Sequence, residues 1–221
     1  MTAQTKLQTE KIKSAVVQAG RDLIASGLVA GTWGNISARI PGTDTFVITP
    51  SGKNYMDTVP DDLVIMNLAG EVVEGNLKQS SEYHLHLFTY QAKKDIQAVV
   101  HTHSVYASAH AVARTPIPVG VEDMAMIVGG SVLVAPYALP GTEDLANNAL
   151  EAMGDRWAVL LANHGVVGIG RSLDEAMRVC HIVEKSARIY ISARRLGQPF
   201  ELDSEDVQTL RQKYLFDYGK K

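Results

Sequence analysis

Apolar residues along this chain follow two spacings, one helical and one alternating. Over residues 12–25, Ala15, Val16, Leu23 and Ile24 recur seven and eight positions apart, and Gly27 follows in the manner of a C-cap, so the pattern predicts a helix. Short apolar runs come next at residues 36–40, 46–48, 63–66 and 71–73, separated by turn pairs such as Pro41-Gly42 and Ala69-Gly70. Runs of this length with tight turns between them predict antiparallel strands. Further on, the pattern predicts helices over 81–91, 105–114 and 142–153, and strands over 98–101, 132–135 and 158–161. A long helix follows from Ser172 to about Leu196, ahead of Gly197-Gln198-Pro199. Ser172 and Glu175 have the spacing of a capping box, in which each side chain satisfies the other's free backbone donor. Short strands flanked by helices predict an α/β fold, a three-layer α/β/α sandwich around a largely antiparallel central sheet. No linker, repeat or composition shift divides the chain, so residues 1–221 read as a single domain.

Composition narrows the function classes. A net charge of −3, with Lys and Arg scattered, gives no electrostatic footprint for nucleic acid. Residues 1–13 are polar and charged and contain no apolar stretch of signal-peptide or membrane-spanning length, so a cytoplasmic protein with no membrane partner is expected. Cys180 is the only cysteine; it lies in a helical apolar pattern, which predicts a buried, inert thiol and excludes an internal disulfide.

The candidate chemistry begins where the apolar run 96–100 ends in His101-Thr102-His103. Histidines at i and i+2 on an extended segment project from one face, so both imidazoles can reach one ion. A third, His164 of Asn163-His164-Gly165, follows the strand predicted at 158–161. Three imidazoles with no closing cysteine or fourth histidine leave a coordination position open, which is the pattern of a catalytic metal site. His84-Leu85-His86 has the same spacing but falls in a predicted helix, where i and i+2 diverge, so that pair is assigned a structural or supporting role. His110 and His181 lie within helical patterns and read as structural.

Three small polar segments are candidates for holding an anion: Gly31-Thr32-Trp33-Gly34-Asn35-Ile36-Ser37, Thr49-Pro50-Ser51-Gly52-Lys53, and Ser80-Ser81 at a helix start. Each offers backbone N–H groups, hydroxyls or an amide without bulk, although turn glycines and capping serines alone account for any one of them. Glu82, placed by the pattern one turn into that helix, is the natural acid/base candidate, since a carboxylate beside a polarised carbonyl is what proton transfer at the adjacent carbon requires.

Taken in order, Gly34-Asn35-Ile36-Ser37, Thr49-Pro50-Ser51-Gly52, Ser80-Ser81-Glu82, His101-Thr102-His103, Ala135-Pro136-Tyr137 with Gly141-Thr142, and Asn163-His164-Gly165 resemble the class II aldolase/adducin family over nearly the whole chain. The resemblance implies a C4 homotetramer with one Zn²⁺ in each cleft between subunits. His101, His103 and His164 match the zinc histidines, and Glu82 matches the catalytic glutamate that also ligates zinc before substrate arrives. Asn35, Ser51, Gly52, Ser80 and Ser81 match positions holding a substrate phosphate. Tyr218 resembles a catalytic tyrosine of the aldolases' C-terminal tail. The implied activity is reversible cleavage of a phosphorylated sugar, a ketose 1-phosphate such as L-fuculose 1-phosphate or a 5-deoxypentulose analogue, to dihydroxyacetone phosphate and an aldehyde. One segment departs from the pattern: where the aldolases carry an interface tyrosine this chain reads Val121-Glu122-Asp123-Met124, leaving Asp123 or Glu122 as the stand-in proton donor. Three alternatives remain open within the resemblance. A ribulose-phosphate 4-epimerase carries Asp where Glu82 stands, with its catalytic aspartate near Asp123. A methylthioribulose-phosphate dehydratase has its catalytic Glu where Ala125 stands. A non-enzymatic adducin-like module lacks the zinc set.

Overall fold

The computed structural model describes residues 3–217. Eight strands form one sheet: β1 (Asn35–Arg39), β2 (Thr45–Ile48), β3 (Val64–Asn67), β4 (Val72–Glu74), β5 (Ala98–Thr102), β6 (Val134–Ala135), β7 (Ala158–Leu161) and β8 (Gly165–Gly170). Their spatial order is β4-β3-β2-β1-β5-β8-β7-β6. Every pairing is antiparallel except β6 with β7. The helices are α1 (Ala3–Ala25), α2 (Tyr83–Ala92), α3 (Val105–Ala113), α4 (Glu122–Val128), α5 (Glu143–Met153), α6 (Leu173–Leu196) and α7 (Ser204–Phe216).

Strand alternation divides the apolar side chains between two layers of core. Val47, Ile65, Ala98 and Val100 face a cluster built with Val16 and Leu23 of α1 and Ala176 and Cys180 of α6. Their strand neighbours Phe46, Ile48, Val64, Met66 and Val99 turn the other way, into a cluster with Leu85 and Tyr90 of α2 and Leu145 and Ala149 of α5. This is the expected three-layer sandwich, produced by the period-2 rule acting on a sheet covered on both faces.

Several predicted elements shift. The first helix begins at Ala3 rather than residue 12, because the preceding turns are good helix formers that carry almost no apolar stripe; Leu7 there is solvent-exposed. The edge strand expected at 71–73 occupies Val72–Glu74 and is exposed throughout. The elements α7 and β8 had no expected counterpart. The β8 sequence Gly165-Val-Val-Gly-Ile-Gly170 is half glycine because the sheet needs those positions bare: a Cβ at Gly168 would lie 2.7 Å from Cys180 Sγ, and one at Gly170 2.5 Å from the Ala176 nitrogen. Glycine there lets α6 lie directly on the sheet. The capping box at α6 is half formed: Ser172 Oγ accepts from the Glu175 N–H, whereas the Glu175 carboxylate accepts instead from Arg171, through its backbone N–H and its guanidinium, and from Tyr214 Oη. Cys180 is fully buried, and burial pushes its thiol up to about 12.

Candidate active site

The end of β5, the β7–β8 hairpin and the start of α2 converge on one point. Asn35 of β1 lies opposite His101 of β5 in register, so the two side chains emerge side by side on the face covered by α2. The close approach depends on Gly34, whose φ is +80° and where a Cβ would stand 2.6 Å from the His101 carbonyl oxygen. His164 is delivered by the hairpin turn, in which Asn163 takes a left-handed conformation with φ 54°.

The three histidines meet through their Nε2 atoms, His101 to His103 at 2.9 Å and His101 to His164 at 3.3 Å. His101 Nδ1 donates to the Val166 carbonyl at 3.0 Å, which leaves Nε2 presenting a lone pair to the cluster. Burial, then the neighbouring His164 and His103 rings, hold the His101 imidazole well below the ordinary histidine range; burial and His164 likewise lower His103, with Glu82 opposing. These groups are therefore held as neutral ligands. The Glu82 carboxylate reaches both sides of the cluster, Oε2 at 3.4 Å from His101 Nε2 and Oε1 at 3.4 Å from His164 Nε2, and Oε1 is buried without a hydrogen-bond partner. Nitrogens about 2.0–2.1 Å from a tetrahedral ion stand about 3.3 Å apart, so this spacing, with neutral donors and an unpartnered carboxylate oxygen, suits a divalent metal. Among the described residues no other cluster of histidine, cysteine or acidic side chains has metal-ligating geometry.

Beside the cluster opens a cavity of about 360 Å³ lined by Asn35, Ser51, Gly52, Ser80 and Ser81 together with Glu82, His103 and His164. All five residues singled out as phosphate-holding thus face one space, with Thr32, Trp33 and Pro140, which sequence reasoning did not select individually. Backbone bonds fasten two of its walls together: Ser51 N–H donates to the Lys78 carbonyl at 2.9 Å and Ser80 N–H to the Thr49 carbonyl at 3.1 Å. The exposed Trp33 ring stacks 5.7 Å from His103. A wider cleft of about 580 Å³ along α7 holds no comparable convergence.

Glu82 sits at the N-cap of α2, not a turn into the helix, and its side chain turns inward instead of capping. Asn35 Nδ2 donates to its Oε2 at 3.0 Å. His84 and His86 diverge: His84 bonds the Gly141 carbonyl, whereas His86 is fully buried between Asn35 and Ser37. Burial, then the His101 ring, lowers His86 to about 3 against a smaller opposing effect of Glu82, so this ring is neutral. Asp123 opens α4 and does not line the cavity of its own chain; its carboxylate pairs with Lys185 of α6. Tyr218 lies outside the described residues.

Residues 14–191 match the family model for the class II aldolase and adducin N-terminal domain. The chain belongs to this family. It is 40% identical over 205 residues to a 5-deoxy-D-ribulose 1-phosphate aldolase of Bacillus thuringiensis, spanning 93% of this chain and 96% of that protein. An L-fuculose phosphate aldolase of Escherichia coli O6:H1 is 31% identical over 209 residues, 94% of this chain and 96% of its own. A solved L-fuculose 1-phosphate aldolase superposes with a TM-score of 0.90 at 38% identity, covering 93% of this chain and 97% of the other. These relatives identify the chain as an aldolase of the family, and they do not favour the epimerase, dehydratase or non-enzymatic readings.

Proposed function

We propose that the protein is a zinc-dependent lyase that reversibly cleaves a ketose 1-phosphate, a 5-deoxypentulose 1-phosphate or L-fuculose 1-phosphate, into dihydroxyacetone phosphate and an aldehyde. The observation that carries this reading is that Glu82, in contact with His101 and His164 of the three-histidine cluster, lines one cavity together with His103, His164 and the five-residue polar cradle. His101, His103 and His164, with Glu82 before substrate arrives, would hold the ion. When bound, it supplies a Lewis acid that stabilises negative charge developing on the substrate's oxygens.

The protein's own groups do the rest. Asn35, the hydroxyls of Ser51, Ser80 and Ser81 and the backbone at Gly52 grip the phosphate and fix the sugar's orientation, converting the reaction into one between pre-positioned groups. In cleavage the bond between the third and fourth carbons breaks, the hydroxyl on the fourth carbon gives up its proton as the aldehyde forms, and Glu82 delivers a proton to the third carbon of the departing three-carbon half. In synthesis Glu82 removes that proton. Tyr218 or Asp123 exchanges the proton of the aldehyde oxygen. The ion pair with Lys185 supports Tyr218 over Asp123, because an ionised carboxylate accepts hydrogen bonds and does not donate them.

We further propose a homotetramer with active sites at subunit interfaces, supported by apolar side chains left exposed on and beyond the helices: Val105 and Val112 of α3, Leu196 and Phe200. A cytoplasmic location is supported by the single, fully buried thiol; no helix among the described residues is long and apolar enough to cross a membrane. A panel of phosphorylated ketoses, with released aldehyde and dihydroxyacetone phosphate measured separately, tests the reading. Equimolar release of both products from a 5-deoxypentulose or L-fuculose 1-phosphate is expected. Epimerised substrate with no aldehyde released would overturn it.

A further inference from the structure

Behind Glu82 runs a buried line of side chains that the proton-transfer chemistry does not itself use. Asn35 Nδ2 donates to Glu82 Oε2 at 3.0 Å, Asn35 Oδ1 lies 2.5 Å from His86 Nε2, His86 Nδ1 lies 2.6 Å from Ser37 Oγ, and Ser37 Oγ lies 2.7 Å from Tyr90 Oη. All five side chains are buried, and Ser37 and His86 are wholly inaccessible.

The direction of each bond follows from the first. An ionised carboxylate only accepts, so Asn35 must turn its NH₂ toward Glu82 and its carbonyl toward His86. His86 must then carry its proton on Nε2, which leaves Nδ1 as an acceptor for the Ser37 hydroxyl. Ser37, having given its proton to the ring, accepts from Tyr90. Asn35 alone has no means of preferring this amide face. If it flipped, its carbonyl oxygen would oppose the carboxylate. Glu82 has no other hydrogen bond to its side chain, since Oε1 is unpartnered and the Ser80 contact is to its backbone N–H.

We propose that His86 is a positioning residue for the reaction: its Nε2–H, held in that tautomer by Ser37 and Tyr90, fixes the Asn35 amide and through it the plane of the Glu82 carboxylate. The proposal rests on the assignment of Glu82 as the acid/base group. It explains why a histidine lies four residues after Glu82, on the same flank of α2, with no contact to the cavity.

The test is a double-mutant cycle of His86→Leu with Glu82→Gln, read as cleavage rate and as solvent-deuterium exchange into dihydroxyacetone phosphate. A carboxylate misplaced by about 1 Å costs on the order of 10²-fold in rate, so His86→Leu should lower both readouts by about that factor in the otherwise wild-type enzyme. In the Glu82→Gln enzyme the same change should lower them by no more than about threefold, because the group being positioned is already gone. His86→Gln, which offers an amide N–H the same number of bonds from Cα as the ring Nε2–H, should recover part of the loss. If His86→Leu does not fold, Ser37→Ala serves in the same cycle, and ¹⁵N spectra of the metal-loaded wild-type protein should find the His86 proton on Nε2. The proposal is overturned by full activity in His86→Leu or in its stand-in, by an equal loss in both backgrounds, or by a proton on Nδ1. Full activity in Glu82→Gln alone would instead remove the acid/base assignment beneath it.

Discussion

Replacing Glu82 with Gln is the most informative single change, because shape is kept while the exchangeable proton is lost. The amide oxygen still accepts from Asn35 Nδ2, now 3.0 Å from Oε2, so the start of α2 and the loops fastened to it stay in place. What changes is the other atom: Oε1, buried and unpartnered 3.4 Å from His164 Nε2, is replaced by an NH₂ that neither carries a proton between carbon and solvent nor accepts from its surroundings. General acid/base contributions are about 10²–10⁴-fold, so kcat should fall by that factor, about 3–5 kcal/mol of barrier, while affinity for inorganic phosphate moves by less than about threefold. Metal content should stay near one ion per chain in an excess of zinc, since three of the four proposed ligands, the histidines, are untouched. The assay is deuterium incorporation into dihydroxyacetone phosphate followed by NMR alongside coupled cleavage. Exchange at the wild-type rate in Glu82→Gln would refute the reasoning and place the base elsewhere.

Other expectations follow from the same geometry. Ser51→Ala removes one hydroxyl from the phosphate cradle; a hydrogen bond to a charged group is worth about 1.5–3 kcal/mol, so KM should rise about 10–100-fold with kcat little changed in steady-state kinetics, and an unchanged KM would remove Ser51 from the cradle. Tyr218→Phe should slow turnover more than Asp123→Asn while both keep the wild-type oligomeric state by light scattering; the reverse order would make Asp123 the proton donor. Glu175 ties Arg171 to Tyr214 of α7; burial raises its carboxyl, but hydrogen bonds from Arg171 and Tyr214 outweigh this and hold it below the ordinary glutamate range. A carboxyl lowered by folding adds stability that is complete above its unfolded pKa and is lost as pH falls through the folded one, so wild-type stability should drop below about pH 4.5 and Glu175→Gln should show a smaller drop. At pH 7 that variant should be about 1–3 kcal/mol less stable in urea titrations; an unchanged acid limb would assign the acid loss to other groups.

The parts of this molecule visible in the sequence are those where one local rule acts alone. His101 and His103 were placed together by strand alternation, and the expected sandwich by runs such as Phe46–Val47–Ile48 whose neighbours face opposite cores. The missed strand β8 is one whose residues answer to a neighbour: its glycines make room for α6, and against strand propensity they read as loop. The helix α7 was missed because its packing on α4 depends on contacts far apart in sequence, among them Arg211, whose guanidinium donates to the Met126 and Ile127 carbonyls. In the site, the divergence of i and i+2 on a helix already assigns His84 and His86 a structural or supporting role, and the four-residue spacing of His86 from Glu82 is equally legible in the sequence. The Lys185 partner of Asp123, sixty-two positions away, is not.

The central claim is that three histidines hold a metal ion on which the chemistry depends, and elemental analysis paired with activity tests it most directly. Protein as purified should contain about one zinc per chain; dialysis against a chelator should abolish cleavage, and one equivalent of zinc should restore it to the wild-type enzyme but not to His103→Ala or His164→Ala. Full activity in a sample shown to be free of metal would contradict the account.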